Sequence, residues 1–362
     1  MMIIKLLEIL IFSSLLLLSF ILISNPMKVN IKANRWFGLL LFLWASYWFD
    51  EVYLLLVGTE IQISSNVIVA SLQFLAPPLF FVSVCHFSVP AYKLLKDAGK
   101  LLILPAVYWL FIIVDWYFSL NLYVVQVVLI LINALTFTGL SLYRIRKHQK
   151  NIQQFASSTQ EINLNWLEYI IMAMVTLVVV IGVFNLVFLE LPLNVFMNGV
   201  VLLVVLFITY NTLKQTEIFP EDDAGVKVVV EISEDDEEPK RQIMSDAKVE
   251  EIKAQLNILM EQKVPYLDSD LNLIKLAQLL NITSHQLSFV INKGYNENFF
   301  QFVNRYRVEK AKLMLADNDS NKLSILGVAF ESGFSSKTSF NTTFKKMTEQ
   351  TPSEFKKKCS GL

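Results

Sequence analysis

Seven apolar runs separated by short polar segments fill the first 213 residues, and the remainder changes to short helical periodicities broken by single turn residues. The runs cover residues 3–24, 36–58, 66–87, 101–118, 122–143, 166–188 and 193–213. At about 1.5 Å of rise per residue, each is long enough to cross roughly 30 Å of hydrocarbon as a helix. The pattern predicts seven transmembrane helices. The first run is too long for a signal-peptide core, and Ser24-Asn25-Pro26 provides no small-residue cleavage site, so this segment is expected to stay in the mature protein.

Further along, Val249, Ile252, Leu256, Ile258 and Leu259 recur at helical spacing, and two short helix pairs follow. The first joins 273–280 to 284–293 through Asn281; the second joins 324–332 to 336–346 through Gly333. Ala277 and Ala329, Asn281 and Gly333, Ile282 and Phe334, and Ser284 and Ser336 correspond at an offset of 52. After one inserted residue, Leu287 and Phe340, Ile291 and Phe344, Lys293 and Lys346, and Phe302 and Phe355 correspond at 53. Asn and Gly enter the left-handed region of a tight turn at low cost. Small Ala lets two helices cross closely, and Ser284 and Ser336, or the hydroxyl residues just before them, are placed to cap the second helix of each pair. Between the pairs, 299–316 reads as one helix with Phe302, Val303, Tyr306, Ala311, Leu313 and Leu315 apolar, long enough to fix their spacing. The expected fold is all-α: a seven-helix transmembrane bundle, then a soluble domain with two helix-turn-helix units.

Composition agrees with the membrane reading. Of 362 residues 54% are hydrophobic and 17% charged, and the mean hydropathy of +0.49 lies outside the soluble globular class. The net charge of -1 conceals an uneven distribution. Residues 217–238 carry ten acids against Lys227 alone, whereas 247–362 carry 16 Lys and Arg against 12 Asp and Glu, a net of +4. Two cysteines, Cys85 and Cys359, build neither a disulfide framework nor a Cys-based metal site, and no metal or cofactor is expected. Cys359-Ser-Gly-Leu362 has the outline of a prenylation box without its aliphatic middle residues, so no lipidation is expected.

Basic residues fall in alternate loops: Lys28, Lys32 and Arg35 in the first, Lys93, Lys96 and Lys100 in the third, and Arg144, Arg146, Lys147 and Lys150 in the fifth. Positively charged loops stay in the cytoplasm. The N-terminus is then outside and the C-terminal tail in the cytoplasm, as expected for a multi-pass protein of a bacterial inner membrane. Glu8, Asp50, Glu51, Asp115, Gln126 and Asn185 are polar groups within the spans. With Trp48, Trp109 and Trp116 they suit an outward-facing pocket for a cationic or hydrogen-bonding signal ligand. The alternative is an interfacial belt in which acids reach water beside Trp and Tyr. Asn133, mid-span, suits a hydrogen bond between helices.

The domain boundaries expected are 1–215 for the membrane body, 216–246 for an acidic cytoplasmic linker and 247–362 for the tail. Like-charge repulsion keeps the linker solvated. Its 226–232 stretch has strand-like composition within an otherwise unstructured connection. As a coil, residues 218–246 would reach about 30 Å, and about 95 Å fully extended.

The tail resembles the C-terminal domain of AraC/XylS-family transcription regulators across its length. The resemblance is carried by Leu276-Ala277 with Leu280-Asn281, by Asn304-Arg-Tyr-Arg-Val308 with Ala311 and Leu315, and by Val328-Ala329-Phe-Glu-Ser-Gly333-Phe334-Ser-Ser336 with Ser339-Phe340-Asn341. It continues through Phe344-Lys345-Lys346 and Thr351-Pro352-Ser-Glu-Phe355. Glu349 departs from the pattern, which often has Gly there. The resemblance implies two recognition helices, 284–293 and 336–346, entering successive major-groove segments of double-stranded promoter DNA. By position, Ser284, His285, Ser288 and Phe289 in the first and Lys337, Thr338, Asn341 and Thr342 in the second are candidates to meet base edges. Asn pairs with adenine, Lys with guanine, and Phe or a Thr methyl touches thymine. Lys293, Arg305, Lys345 and Lys346 are candidates for phosphates, which add affinity but no sequence information.

The function this implies is a membrane-bound, sequence-specific transcription regulator with RNA polymerase, a second copy of the chain and an unknown signal ligand as further partners. A transporter or membrane enzyme with a regulatory DNA-binding tail is the alternative. The spans carry no HExxH pair, no Gly-rich phosphate loop and no nucleophile beside a base, so no enzymatic activity is expected.

Overall fold

The computed structural model describes residues 2–58, 71–89, 92–160, 162–187, 194–216, 218, 244–317 and 323–359. Among these, every element is helical, apart from one isolated antiparallel bridge between Ala156 and Asn272. The chain divides into two compact units: Met1–His148 with Leu164–Ile218, and Gln149–Asn163 with Phe219–Leu362. The sequence placed residues 149–163 with the membrane body; the structure places them in the second unit. The linker residues 219–243, with their strand-like stretch, lie outside the described residues.

The first unit contains α1 (Met2–Ser24), α2 (Ile31–Ala45), α3 (Phe49–Val57), α4 (Ala76–Ser88), α5 (Leu94–Phe118), α6 (Tyr123–Asn151, up to His148), α7 (Asn165–Val187) and α8 (Asn194–Lys214). Among the described residues, six stretches are long and apolar enough to cross a membrane: Ile3–Ser24, Ile31–Val57, Ser71–Ser88, Leu94–Phe118, Tyr123–Gln154 and Phe196–Lys214. At the place of the sixth expected span, α7 is apolar over Asn165–Val180. The second expected span is broken by a 3₁₀ turn, Ser46–Trp48, where the Ser46 hydroxyl donates to the Leu43 carbonyl at 2.6 Å. Pro77 and Pro78 sit in the first turn of α4, which has no N–H partner to lose, and so mark a start.

Large apolar side chains face outward along these helices, including Trp116 at 82% and Leu135 at 73% exposed. A water-soluble surface does not show apolar residues so densely, whereas lipid tails would cover them. Inside, small residues bring helices together. A Cβ on Gly38 would lie 2.8 Å from Ile23 Cγ1, and the Ser19 hydroxyl donates to the Gly38 carbonyl at 2.8 Å, which ties α1 to α2. Asn133 donates to the Phe74 carbonyl at 2.9 Å, so the bond its position predicted goes to the turn just before α4 and not to a helix.

The second unit contains α9 (Asp246–Gln262), α10 (Leu273–Leu279), α11 (Ser284–Tyr295), α12 (Phe299–Ala316), α13 (Ile325–Glu331), α14 (Lys337–Thr348) and α15 (Pro352–Cys359). Its core has two main clusters, both served by α12, and a smaller third one of Val249, Ile252 and Val290 between α9 and α11. Phe299, Phe302 and Val303 pack with Leu256, Leu276 and Leu287, whereas Val308, Ala311 and Leu315 pack with Val328, Phe334, Phe340 and Phe344. Apolar spacing of three and four residues puts both sets on α12 faces that each meet one helix pair. Arg307 lies between the sets and is 1% exposed.

Candidate nucleic-acid interface

Both helix pairs fold as helix-turn-helix units, with matching local bonds. The Ile282 N–H donates to the Ala277 carbonyl at 3.1 Å, and the equivalent Phe334 N–H to Ala329 at 3.0 Å. Asn281 and Gly333 adopt left-handed φ of 55° and 87°. Caps set where each recognition helix begins. Thr283 caps α11 within a reciprocal capping box with Gln286, and Ser336 caps α14 through a bond from the Ser339 N–H. The caps are thus 53 residues apart, already past the insertion. The extra residue sits in the second turn, ahead of the cap, and Ser284 corresponds to Lys337 instead of Ser336.

That register alters which side chains α11 and α14 expose. Ser284, the first residue of α11, is buried at 8% exposed. His285, Ser288 and Phe289 are half-buried; Phe289 also packs against the core formed by Val249, Ile252 and Val290. In α14, Lys337, Thr338 and Thr342 are exposed and Asn341 is half-buried. Two of the four phosphate candidates are engaged within the domain. Lys293 pairs with Asp246 and lies over the Phe289 ring at 5.6 Å. Arg305 pairs with Glu297 at 3.0 Å and covers the Tyr306 ring at 4.9 Å. Lys345 and Lys346 are exposed and, with Asn341, Thr342, Thr351 and Ser353, line a shallow open groove where α14 meets α15. Anionic oxygens fit there, because the N-terminus of α15 adds positive dipole to two ammonium groups.

Residues 276–358 match the family described as a helix-turn-helix domain. The C-terminal part of the chain is therefore an AraC-type helix-turn-helix domain. It is similar to uncharacterized HTH-type transcriptional regulators of Staphylococcus aureus strains COL and MSSA476, each 31% identical over 114 residues, or 32% of this chain. The chain spans 14% of the length of each of these relatives. No solved structure gives a significant match.

Within the helix-turn-helix domain, sequence reasoning gave Arg307 no role. Its guanidinium donates to the carbonyls of Tyr266 at 2.7 Å, Asp268 at 2.8 Å and Ser157 at 3.3 Å, and to the Ser157 hydroxyl at 3.0 Å. Burial pulls its pKa down to about 10, which still leaves it charged at neutral pH. Asp268 shows an opposite balance: burial opposes its ionisation, but the Asp270 N–H and the Lys275 ammonium outweigh burial and hold its carboxyl below the usual value.

Among the described residues, the polar groups of the membrane body bond in different sets. Glu8 accepts from Asn198 at 3.4 Å, Asn198 accepts from Trp48 Nε1 at 3.3 Å, and Glu51 is near enough to Glu8 for their charges to interact. Asp50 is exposed on α3. Asp115 instead accepts from the Leu122 N–H at 2.9 Å and from Gln126 at 3.0 Å, pinning the turn between α5 and α6. The Asn185 side chain lies outside the described residues. Asn198 was not anticipated; an amide near the start of the last apolar run was its only sequence signal.

Proposed function

We propose that the chain is a membrane-embedded, one-component transcription regulator that reads double-stranded promoter DNA with α11 and α14 and senses a signal through its apolar helices. The observation that carries this reading is α12, one continuous helix whose two ends each anchor a helix-turn-helix unit. A fixed spacing of two such units suits major-groove segments about one turn of DNA apart. Lys337, Thr338, Asn341 and Thr342 meet base edges in one segment, His285, Ser288 and Phe289 in the other, and Lys345 and Lys346 hold phosphates.

The loop charges favour an outside N-terminus and a cytoplasmic tail in a bacterial inner membrane. The cluster of Glu8, Trp48 and Asn198 is the preferred place for a hydrogen-bonding signal. A second copy of the chain would raise the local concentration of recognition helices, compensating for the modest net charge of +4 over residues 247–362. RNA polymerase is the expected downstream partner. The test is an affinity selection of genomic fragments on the full chain in lipid nanodiscs at two salt concentrations. Enrichment of a site with two specific segments about 10 base pairs apart is expected. No enrichment at either salt would overturn the reading.

A further inference from the structure

The domain that carries both helix-turn-helix units is built from two separated pieces of chain, because residues 149–163 belong to it. In sequence this piece joins α6 to α7. Its bonds reach both helix-turn-helix units and the helix between them. Toward the first unit, the Phe155 carbonyl accepts from the Leu273 N–H at 2.9 Å, the Ser157 hydroxyl donates to the Leu271 carbonyl at 2.5 Å, and Gln153 accepts from Asn298 at 3.4 Å. Toward the spacer, the Ser157 carbonyl accepts from Asn304 at 3.0 Å, and Ser157 supplies both a carbonyl and a hydroxyl oxygen to Arg307. Toward the second unit, Ser158 bonds Ser335 at 3.0 Å, and Gln160 accepts from the Ser336 hydroxyl at 2.6 Å.

These are not surface contacts of convenience. Ser157 is 2% exposed, and Arg307 and Asn304 are 1% exposed. Ser335 is the residue that lengthens the second turn, and Ser336 is the cap that starts α14. The segment therefore bonds to the one place where the second unit departs from the backbone of the first. A segment bonded at once to both units and their spacer limits how far the two recognition helices move relative to each other. Such preorganisation favours binding across two groove segments.

We propose that residues 149–163 are a strap that holds the two units in their DNA-binding arrangement, and that α6 and α7, which carry the strap, control DNA affinity by seating or withdrawing it. This rests on the regulator reading above. It supplies a route for the signal that does not pass through the acidic linker.

The test uses the full chain in nanodiscs with Cys359→Ser, Cys85 being buried. Ser158→Cys with Ser335→Cys should close a disulfide under copper-phenanthroline, read as loss of maleimide labelling. The control pair Ser158→Cys with Ser353→Cys should stay reactive. On the genomic fragments selected by the wild-type chain, the closed protein should bind as tightly as wild type, and Ser157→Ala with Gln160→Ala should bind about tenfold more weakly. Closure no faster than the control, a tenfold loss on closure, or full affinity in the double alanine variant would each overturn the strap while wild-type binding stands. A wild-type chain that selects no fragments would instead sink the regulator reading and this coupling with it, and disulfide yield would still report the seat.

Discussion

In the first helix-turn-helix unit three residues, Leu280, Asn281 and Ile282, lie between the end of α10 and the cap Thr283; in the second, four residues, Ser332, Gly333, Phe334 and Ser335, lie between the end of α13 and the cap Ser336. The recognition helices differ in chemistry as well. Helix α11 shows half-buried His285, Ser288 and Phe289, is covered on one side by α9, and has Lys293 paired with Asp246. Helix α14 shows exposed Lys337, Thr338 and Thr342 and leads to the exposed Lys345 and Lys346. Two copies of one backbone thus present different surfaces. On the proposed DNA-reading role, the first suits shape and apolar contact, and the second suits hydrogen bonding and charge. The duplicated core explains how the backbone tolerates this, since each pair has its own apolar partners on α12.

The sharpest way to break the equivalence is at the turns. A Cβ on Gly333 would lie 2.3 Å from the Tyr266 carbonyl oxygen, at a φ of 87° that a side chain resists. Gly333→Ala should cost about 2 to 5 kcal/mol, the sum of left-handed strain and overpacking. Asn281→Ala carries the conformational part alone, about 1 kcal/mol. Hydrogen exchange of peptides from 323–359 and 271–298 would measure each opening separately. Equal losses at the two turns would contradict the division.

At the reading surfaces the expected effects are smaller. Asn341→Ala should reduce discrimination at one base pair by about 1 to 3 kcal/mol, and Phe289→Ala by less, because its ring is partly committed to the core. Competition binding with single-base variants of the selected site would show it. Replacing Lys345 and Lys346 together by Gln should flatten the salt dependence by about 2 in log–log slope and weaken binding roughly tenfold or more at moderate salt. Lys293→Gln should change the slope little, since its ammonium already has Asp246. A slope change at Lys293 equal to that at Lys345 would show that the internal pair opens on DNA.

Periodicity was enough to place the apolar helices and both helix-turn-helix units, because helix register depends on local spacing that the chain displays directly. The turns inside the two helix-turn-helix units were legible for the same reason: Asn281 and Gly333 stood where a left-handed conformation was needed. What was not legible depends on contacts distant in sequence. The buried state of Ser284, the pairing of Arg305 with Glu297 and of Lys293 with Asp246, and the link from Asn198 to Glu8 all require knowing which helices meet. The exposed, basic appearance of Arg305 in sequence is the clearest example, as Tyr295, Phe302 and Tyr306 surround its guanidinium. Residues 149–163 left one overlooked sign: they fall in 144–165, the longest polar segment between two apolar runs, and long ordered connections tend to have their own work.

The ends of the recognition helices give the finest comparison. Helix α11 ends at Asn296 with φ 55°, and α14 ends at Glu349 with φ 61°, again 53 residues apart. Both positions are left-handed C-caps, where Gly is favoured because it lacks a Cβ, and Asn is tolerated because its short amide bonds locally. Glu has neither advantage, which gives physical content to its departure from the family pattern. Glu349→Gly should stabilise the second unit by about 1 kcal/mol, less the entropy that Gly returns to the unfolded chain. Asn296→Gly should change the first by only a few tenths. Hydrogen exchange of the 337–359 helices would register the gain as slower opening. No gain at Glu349 would mean that its side chain makes a compensating interaction in the folded domain, and the two helix ends would then be equivalent after all.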